Sequence, residues 1–195
     1  MKLTNEQEGK FKAFEKTVIK WNKTLNLVSK TQESLLEEHF YNSISATPFV
    51  REIVVDMGTG AGFPGIPIAI MAPKKKVFLI EKNTKKSSFL FHTTNLLGLK
   101  NTKVINSRIE EVDPGSIPSP RDILSRAFGS IQKATTAASK LLSHGDTRLI
   151  MMKTSAFFKE STPAERYKIT KTQEIGLKGR DKRHFLVTIE EKNKK

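Results

Sequence analysis

The sequence predicts an α/β protein: a doubly wound, largely parallel sheet behind a helical N-terminal extension. Three observations carry this. From residue 51 onward short apolar runs of strand length alternate with helical segments, the pattern that builds parallel sheets with ligands at the strand C-terminal ends. The first such run, Ile53 to Val55, ends in Asp56 and a loop with four glycines between residues 58 and 65. Residues 1–50 show no strand pattern; their apolar residues recur at three- and four-residue steps.

In that first segment Phe11, Phe14, Val18, Trp21 and Leu25 form one stripe, and Thr4 with Gln7 has the spacing of a capping box. A second helix is expected after Ser29 or Thr31, with Leu35, Leu36, His39 and Phe40 on its buried side, and Pro48 ends the region. Packing accounts for the aromatic stripe; His39 stays open between packing and function. The expected organisation is an extension over 1–50 and a sheet domain over 51–195. Strands are expected at Ile53–Asp56, Val77–Glu81, Val104–Asn106, Asp122–Ser125 and Leu149–Lys153, with His184–Ile189 a sixth or seventh. Helices are expected at Ile66–Met71, at Thr84–Leu97 before Gly98, and at Ile131–Leu142 before His144-Gly145. The segment 113–120 reads as a connector.

Composition narrows the partners. The formal net charge is +14. Residues 1–50 are nearly balanced, whereas 51–110 carry 10 basic against 4 acidic residues and 159–195 carry 11 against 6. The excess is therefore expected around the glycine loop and in the tail, where it would attract RNA or DNA; a lysine-rich soluble surface is the plainer reading. Cysteine is absent and the four histidines are scattered, so no disulfide or metal site is expected. No apolar run approaches membrane-spanning length and the start MKLTNEQEGK lacks a leader's apolar core, so a cytoplasmic protein without membrane contact is expected.

Two cofactors compete for the loop. Gly60, Gly62 and Gly65 satisfy the dinucleotide spacing, with Glu81 about 20 residues on, where a ribose-binding acid belongs. Asp56 ahead of Gly58, Gly60 and Gly62 suits S-adenosylmethionine instead: one carboxylate for its ammonium and another, Glu81, for its ribose diol. Asp56 is surplus in the dinucleotide reading. Glu81 could also be an ordinary strand-end charge. After strand three, Ile109 could face an adenine ring with Glu110 near its amine, or the segment Arg108–Glu110 could be a cap or surface pair. Arg126, at the mouth of the sheet, reads as functional.

These residues resemble the RsmG (glucose-inhibited division protein B) family of 16S ribosomal RNA methyltransferases. The resemblance runs from about residue 11 to the C-terminus. It rests on Trp21-Asn22, Asn26-Leu27, His39 with Asn42-Ser43, DMGTGAGFPGIPIAI (56–70), Glu81 with Lys85-Lys86, Arg108-Ile109-Glu110, Ser125-Arg126-Ala127 and Lys153. It departs at Asn42, where the family carries Asp, and at Thr154, where Gly follows the lysine. The resemblance implies a Rossmann-like methyltransferase fold and methyl transfer from S-adenosylmethionine to N7 of a guanine in the 530 loop. Family cofactor contacts fall on Gly58, Phe63, Ile109, Glu110 and Arg126, beside Asp56, Thr59, Gly60 and Glu81 from the reading above. Arg126 and Lys153 would position the substrate, and His39, Lys85, Lys86, Lys153 and the basic tail would meet RNA. The expected partner is 16S rRNA, the small subunit or its assembly intermediate, and the expected state is a monomer. Guanine N7 has no proton to lose, so no general base is needed, and the missing cysteine argues against pyrimidine-carbon methylation. The alternatives are an NAD-dependent oxidoreductase and a catalytically silent RNA-binding relative.

Overall fold

Thr4 and Gln7 close the predicted capping box in the computed structural model, which describes residues 2–159, 163–176 and 183–192. The Gln7 amide donates to the Thr4 hydroxyl at 3.2 Å and the Thr4 amide to Gln7 Oε1 at 3.0 Å, opening α1 (Asn5–Leu25). Phe11, Phe14 and Val18 of its stripe are buried. The single helix expected next is two. Ser29 caps one turn, α2 (Lys30–Glu33), and α3 (Leu36–Ile44) begins after Leu35 leaves helical geometry. That break turns Leu35 outward, 37 % exposed, while Leu36, His39 and Phe40 stay buried.

Among the described residues seven strands follow: β1 (Ile53–Met57), β2 (Lys76–Ile80), β3 (Thr102–Ile105), β4 (Arg121–Arg126), β5 (Thr147–Thr154), β6 (Tyr167–Ile175) and β7 (His184–Glu191). They form one sheet in the order β3-β2-β1-β4-β5-β7-β6. The first five run parallel, and β7 is antiparallel to both neighbours. The connecting helices are α4 (Gly65–Met71), α5 (Thr84–Leu96), α6 (Ile131–Ala137) and α7 (Ser139–Leu142). The expected helix 131–142 is therefore divided at Ala138. The order reverses between β1 and β4, so a crevice opens where their C-terminal ends part.

Strand β6 has no counterpart in the sequence reading. Only its end residues, Tyr167 and Ile175, are buried, so it lacks the alternation that marks a half-buried strand. It is an edge strand carrying the exposed Lys168 and Lys171, charges that discourage pairing with another chain.

Alternation in the parallel strands sorts two cores. Val54, Leu79, Leu124 and Ile150 face α1, α3, α4 and α5; Val55, Ile80, Ile123 and Met151 face α6 and α7. The first 50 residues pack against the sheet: Phe11, Phe14 and Phe40 share one apolar cluster with Ile66, Ile68 and Phe89. Among the described residues no helix is long and apolar enough to cross a membrane.

At the strand N-terminal ends the fully buried Arg121 satisfies its guanidinium without a carboxylate. Nε donates to Thr147 Oγ1 at 3.0 Å, Nη2 to the His144 carbonyl at 2.9 Å, and Nη1 to the carbonyls of Pro114 and Ile117. It thereby anchors the connector 113–120. Arg121→Met leaves the Ile117 carbonyl without the guanidinium donor, while the Thr147 hydroxyl keeps its bond to the His144 carbonyl at 2.8 Å, and we expect urea unfolding to show a loss of about 2–3 kcal/mol.

Candidate functional site

The end of β1 meets the end of β2 through backbone alone. The amides of Gly58 and Thr59 both donate to the Ile80 carbonyl, at 3.0 and 3.1 Å. Gly58 holds φ +70, and a Cβ there would press on the Phe128 ring at 3.3 Å. One residue past β2, Glu81 is buried and takes two loop amides: Gly60 at 3.1 Å on Oε2 and Asn83 at 2.8 Å on Oε1. Each oxygen keeps an acceptor position. Gly58, Gly60, Glu81, Lys86, Ile109, Glu110 and Phe128 line a cavity of about 310 Å³ at this crevice. Within it stand carboxylates, an apolar wall and bare backbone. That combination suits a nucleoside with a hydroxylated sugar.

Asp56 and Thr59 lie beneath this cavity. Asp56 is 1 % exposed; its Oδ2 accepts from Thr59 Oγ1 at 2.5 Å and from the Gly65 amide at 2.8 Å. A Cβ on Gly65 would collide with the Leu79 side chain and come within 2.7 Å of Asp56 Oδ2, so the close packing of helix on strand requires glycine there. Asp56 thus ties both ends of the loop, a structural task the sequence did not show, and Thr59 spends its hydroxyl on it. Burial pushes the Asp56 carboxyl up to about 6, against the pull of the Thr59 and Gly65 bonds. Its Oδ1 is buried without a hydrogen-bond partner among the described residues. Because Asp56 already holds the first amide of α4, that helix does not offer it to a pyrophosphate, as a dinucleotide site requires.

A second group sits on the α3 side of β4. Arg126 Nη2 donates to His39 Nδ1 at 2.7 Å, and its guanidinium lies 5.8 Å from the Phe63 ring centroid. His39 packs edge-on to the same ring at 5.9 Å. Accepting at Nδ1 makes His39 the neutral tautomer protonated at Nε2, an atom buried without a hydrogen-bond partner among the described residues. Burial first, then the Arg126 charge, holds His39 down at about 4. Arg126, Phe63 and His39 therefore stand together beside the cavity and do not line it.

Sign and window follow from these values. The unfolded chain takes up the His39 proton near 6.5 and the folded chain near 4, so acidification between them favours unfolding. Asp56 acts oppositely, its proton binding earlier in the folded state. In His39→Gln only the first contribution disappears. Wild type is expected to lose about 1–2 kcal/mol more than this variant between pH 6.5 and 5, read from urea midpoints.

The lysines are dispersed. Lys86 borders the cavity, Lys85 is exposed on the first turn of α5, and Lys153 Nζ donates to the Gly129 carbonyl at 2.5 Å. Part of the basic tail lies outside the described residues. The expectation that the positive charge of 51–110 gathers around the glycine loop needs correction. Lys74, Lys76, Lys100 and Lys103 stand at the opposite end of the sheet, because each precedes or begins β2 or β3. Phe128 was missed altogether. Its only sequence signal is an aromatic directly after Ser125-Arg126-Ala127, where Ala127 takes φ +56.

Comparison with known proteins decides the class. The GidB family, described as rRNA small subunit methyltransferase G, matches residues 7–186. The chain belongs to the GidB family. Ribosomal RNA small subunit methyltransferase G of Cellvibrio japonicus is 40% identical over 139 residues, 68% of this chain and 63% of that protein. The Pseudomonas putida protein of the same name is 38% identical over 152 residues, covering 75% and 68%. The matched part thus spans roughly three fifths to two thirds of these GidB relatives. Among solved structures, M. capricolum TrmK in complex with S-adenosyl-homocysteine superposes at a TM-score of 0.56 with 15% identity, covering 78% of this chain and 68% of that one. A SAM-dependent methyltransferase from Aquifex aeolicus reaches 0.51 with 15% identity, covering 90% and 97%. The expected Rossmann-like methyltransferase fold is thereby borne out. GidB membership also removes the oxidoreductase reading.

Proposed function

We propose that this chain transfers the methyl group of S-adenosylmethionine to N7 of a guanine in the 530 loop of 16S ribosomal RNA. The observation that carries the proposal is the cavity over the glycine loop, where Glu81 stands opposite Ile109 and Glu110 in a GidB chain. The residues fit the cofactor. Glu81 has an acceptor position left on each oxygen for the two ribose hydroxyls, and Ile109 with Phe128 supplies an apolar slot for adenine beside the Glu110 carboxylate. Gly58 and Gly60 leave the backbone open to the methionine portion, while Asp56 acts through the loop it ties. Once bound, the cofactor supplies an electrophilic methyl group.

The chain's own part is alignment and exclusion of water, since N7 offers a lone pair without deprotonation. Arg126, held by His39 and Phe63, orients the base or its phosphate and moves no proton. Lys85, Lys86 and Lys153 meet RNA phosphates, and the protein works as a cytoplasmic monomer on the small subunit or its precursor. The helical segment 1–50 serves as a fixed cover over one sheet face.

Calorimetry is expected to show binding of S-adenosylhomocysteine and none of NAD. Radiolabelled methyl transfer to unmodified small subunits should then place the label on one guanine of the 530 loop. Cofactor binding without transfer would instead favour the silent RNA-binding relative.

A further inference from the structure

The lysines displaced from the glycine loop form a feature of their own. Lys74, Lys76, Lys100 and Lys103 border a groove of about 410 Å³ at the N-terminal ends of β2 and β3, floored by Val77 and Phe78. All four are exposed, and among the described residues no carboxylate lines the groove. Glu6, in the neighbouring hollow, is engaged by Lys10 at 2.8 Å.

The frame is built, not incidental. Asn101 Nδ2 donates to the carbonyls of Ala69, Ala72 and Lys75, at 3.1, 3.4 and 3.0 Å, clamping the turn before β2 to the turn before β3. Lys75, the middle of the lysine triplet, donates to the carbonyls of Val50 and Arg51 and so fixes the first turn to the segment that leads into β1. Four cations are therefore presented on two locked turns, Lys74 and Lys100, and on the strand starts that follow them, Lys76 and Lys103. Like charges held side by side repel one another, a cost that a polyanion relieves.

We propose that this groove is a second RNA-backbone site, gripping phosphates remote from the target base. The proposal rests on the RNA-methyltransferase reading and adds where the substrate is held. Because β2 connects the groove to Glu81, the two sites lie roughly 15 Å apart along one strand. A flat apolar partner surface fits less well, since charge of one sign rims the groove and the apolar floor is recessed.

The test compares two quadruple variants of equal charge, Lys74→Gln/Lys76→Gln/Lys100→Gln/Lys103→Gln and Lys12→Gln/Lys16→Gln/Lys20→Gln/Lys23→Gln on α1. Binding to transcribed 16S RNA is measured across salt concentrations, with S-adenosylhomocysteine calorimetry on each. The groove variant should bind RNA about 10–100-fold more weakly, with a salt slope shallower by about 2–3, and retain cofactor affinity. Equal losses in both variants, or no loss in the groove variant, overturn the groove site while leaving the methyltransferase reading intact. A wild-type chain that neither binds this RNA nor methylates unmodified small subunits overturns both.

Discussion

Glu81→Ala is expected to lower the affinity for S-adenosylhomocysteine by at least 100-fold. In the proposed cofactor site two charge-assisted hydrogen bonds to the ribose diol vanish, each contributing about 1.5–3 kcal/mol. The loop suffers as well, because the Gly60 and Asn83 amides both lose their acceptor. Glu81→Gln separates the two effects. Its amide oxygen still accepts one loop N–H, but its NH2 faces the other donor, so affinity should recover only in part. Isothermal titration at constant pH reads both variants. An affinity within threefold of wild type in Glu81→Ala would remove Glu81 from the cofactor site.

Arg126→Ala should have a comparable effect on a different quantity. Arg126 stands beside the cavity against His39 and Phe63, so we expect S-adenosylhomocysteine affinity within a few-fold of wild type. Methyl transfer to small subunits should fall about 100-fold, the scale of a misplaced reactant. Arg126→Lys should recover little, because an ammonium cannot spread over the Phe63 face while donating to His39. Transfer at the wild-type rate in Arg126→Ala would show that the arginine only supports packing.

Much of this architecture was legible because it rests on local signals. The strands β1 to β5 and β7 announced themselves as apolar runs ending in turn residues, and Gly98, at φ +61, marked the end of α5. Glycine spacing and Glu81 located the cavity's floor and one wall. Other features depended on which residues meet across the fold. The sequence could not show that Asp56 spends its carboxylate on Thr59 and Gly65, nor that Phe128 folds back over Gly58. Arg121 carries no mark in the sequence, and its role shows only where the carbonyls of 114, 117 and 144 converge on it. β6 escaped because a lysine- and threonine-rich edge strand buries only its ends. The lysine groove was misplaced for a topological reason: residues near one another in a β-α-β chain lie at opposite ends of the sheet whenever a strand separates them.

The sharing of one core by α1 and the sheet carries a consequence for the order of events during synthesis. Phe11 finds Phe40 at a ring-centroid distance of 3.8 Å, a partner that emerges soon after it. Phe14 and Trp21 await Phe63 and Phe89, which belong to much later chain. The nascent chain therefore carries a half-covered aromatic face until β2 and α5 have been made. On this timetable His39 is in place before Arg126 exists, and the last parallel strands close onto a partner already waiting.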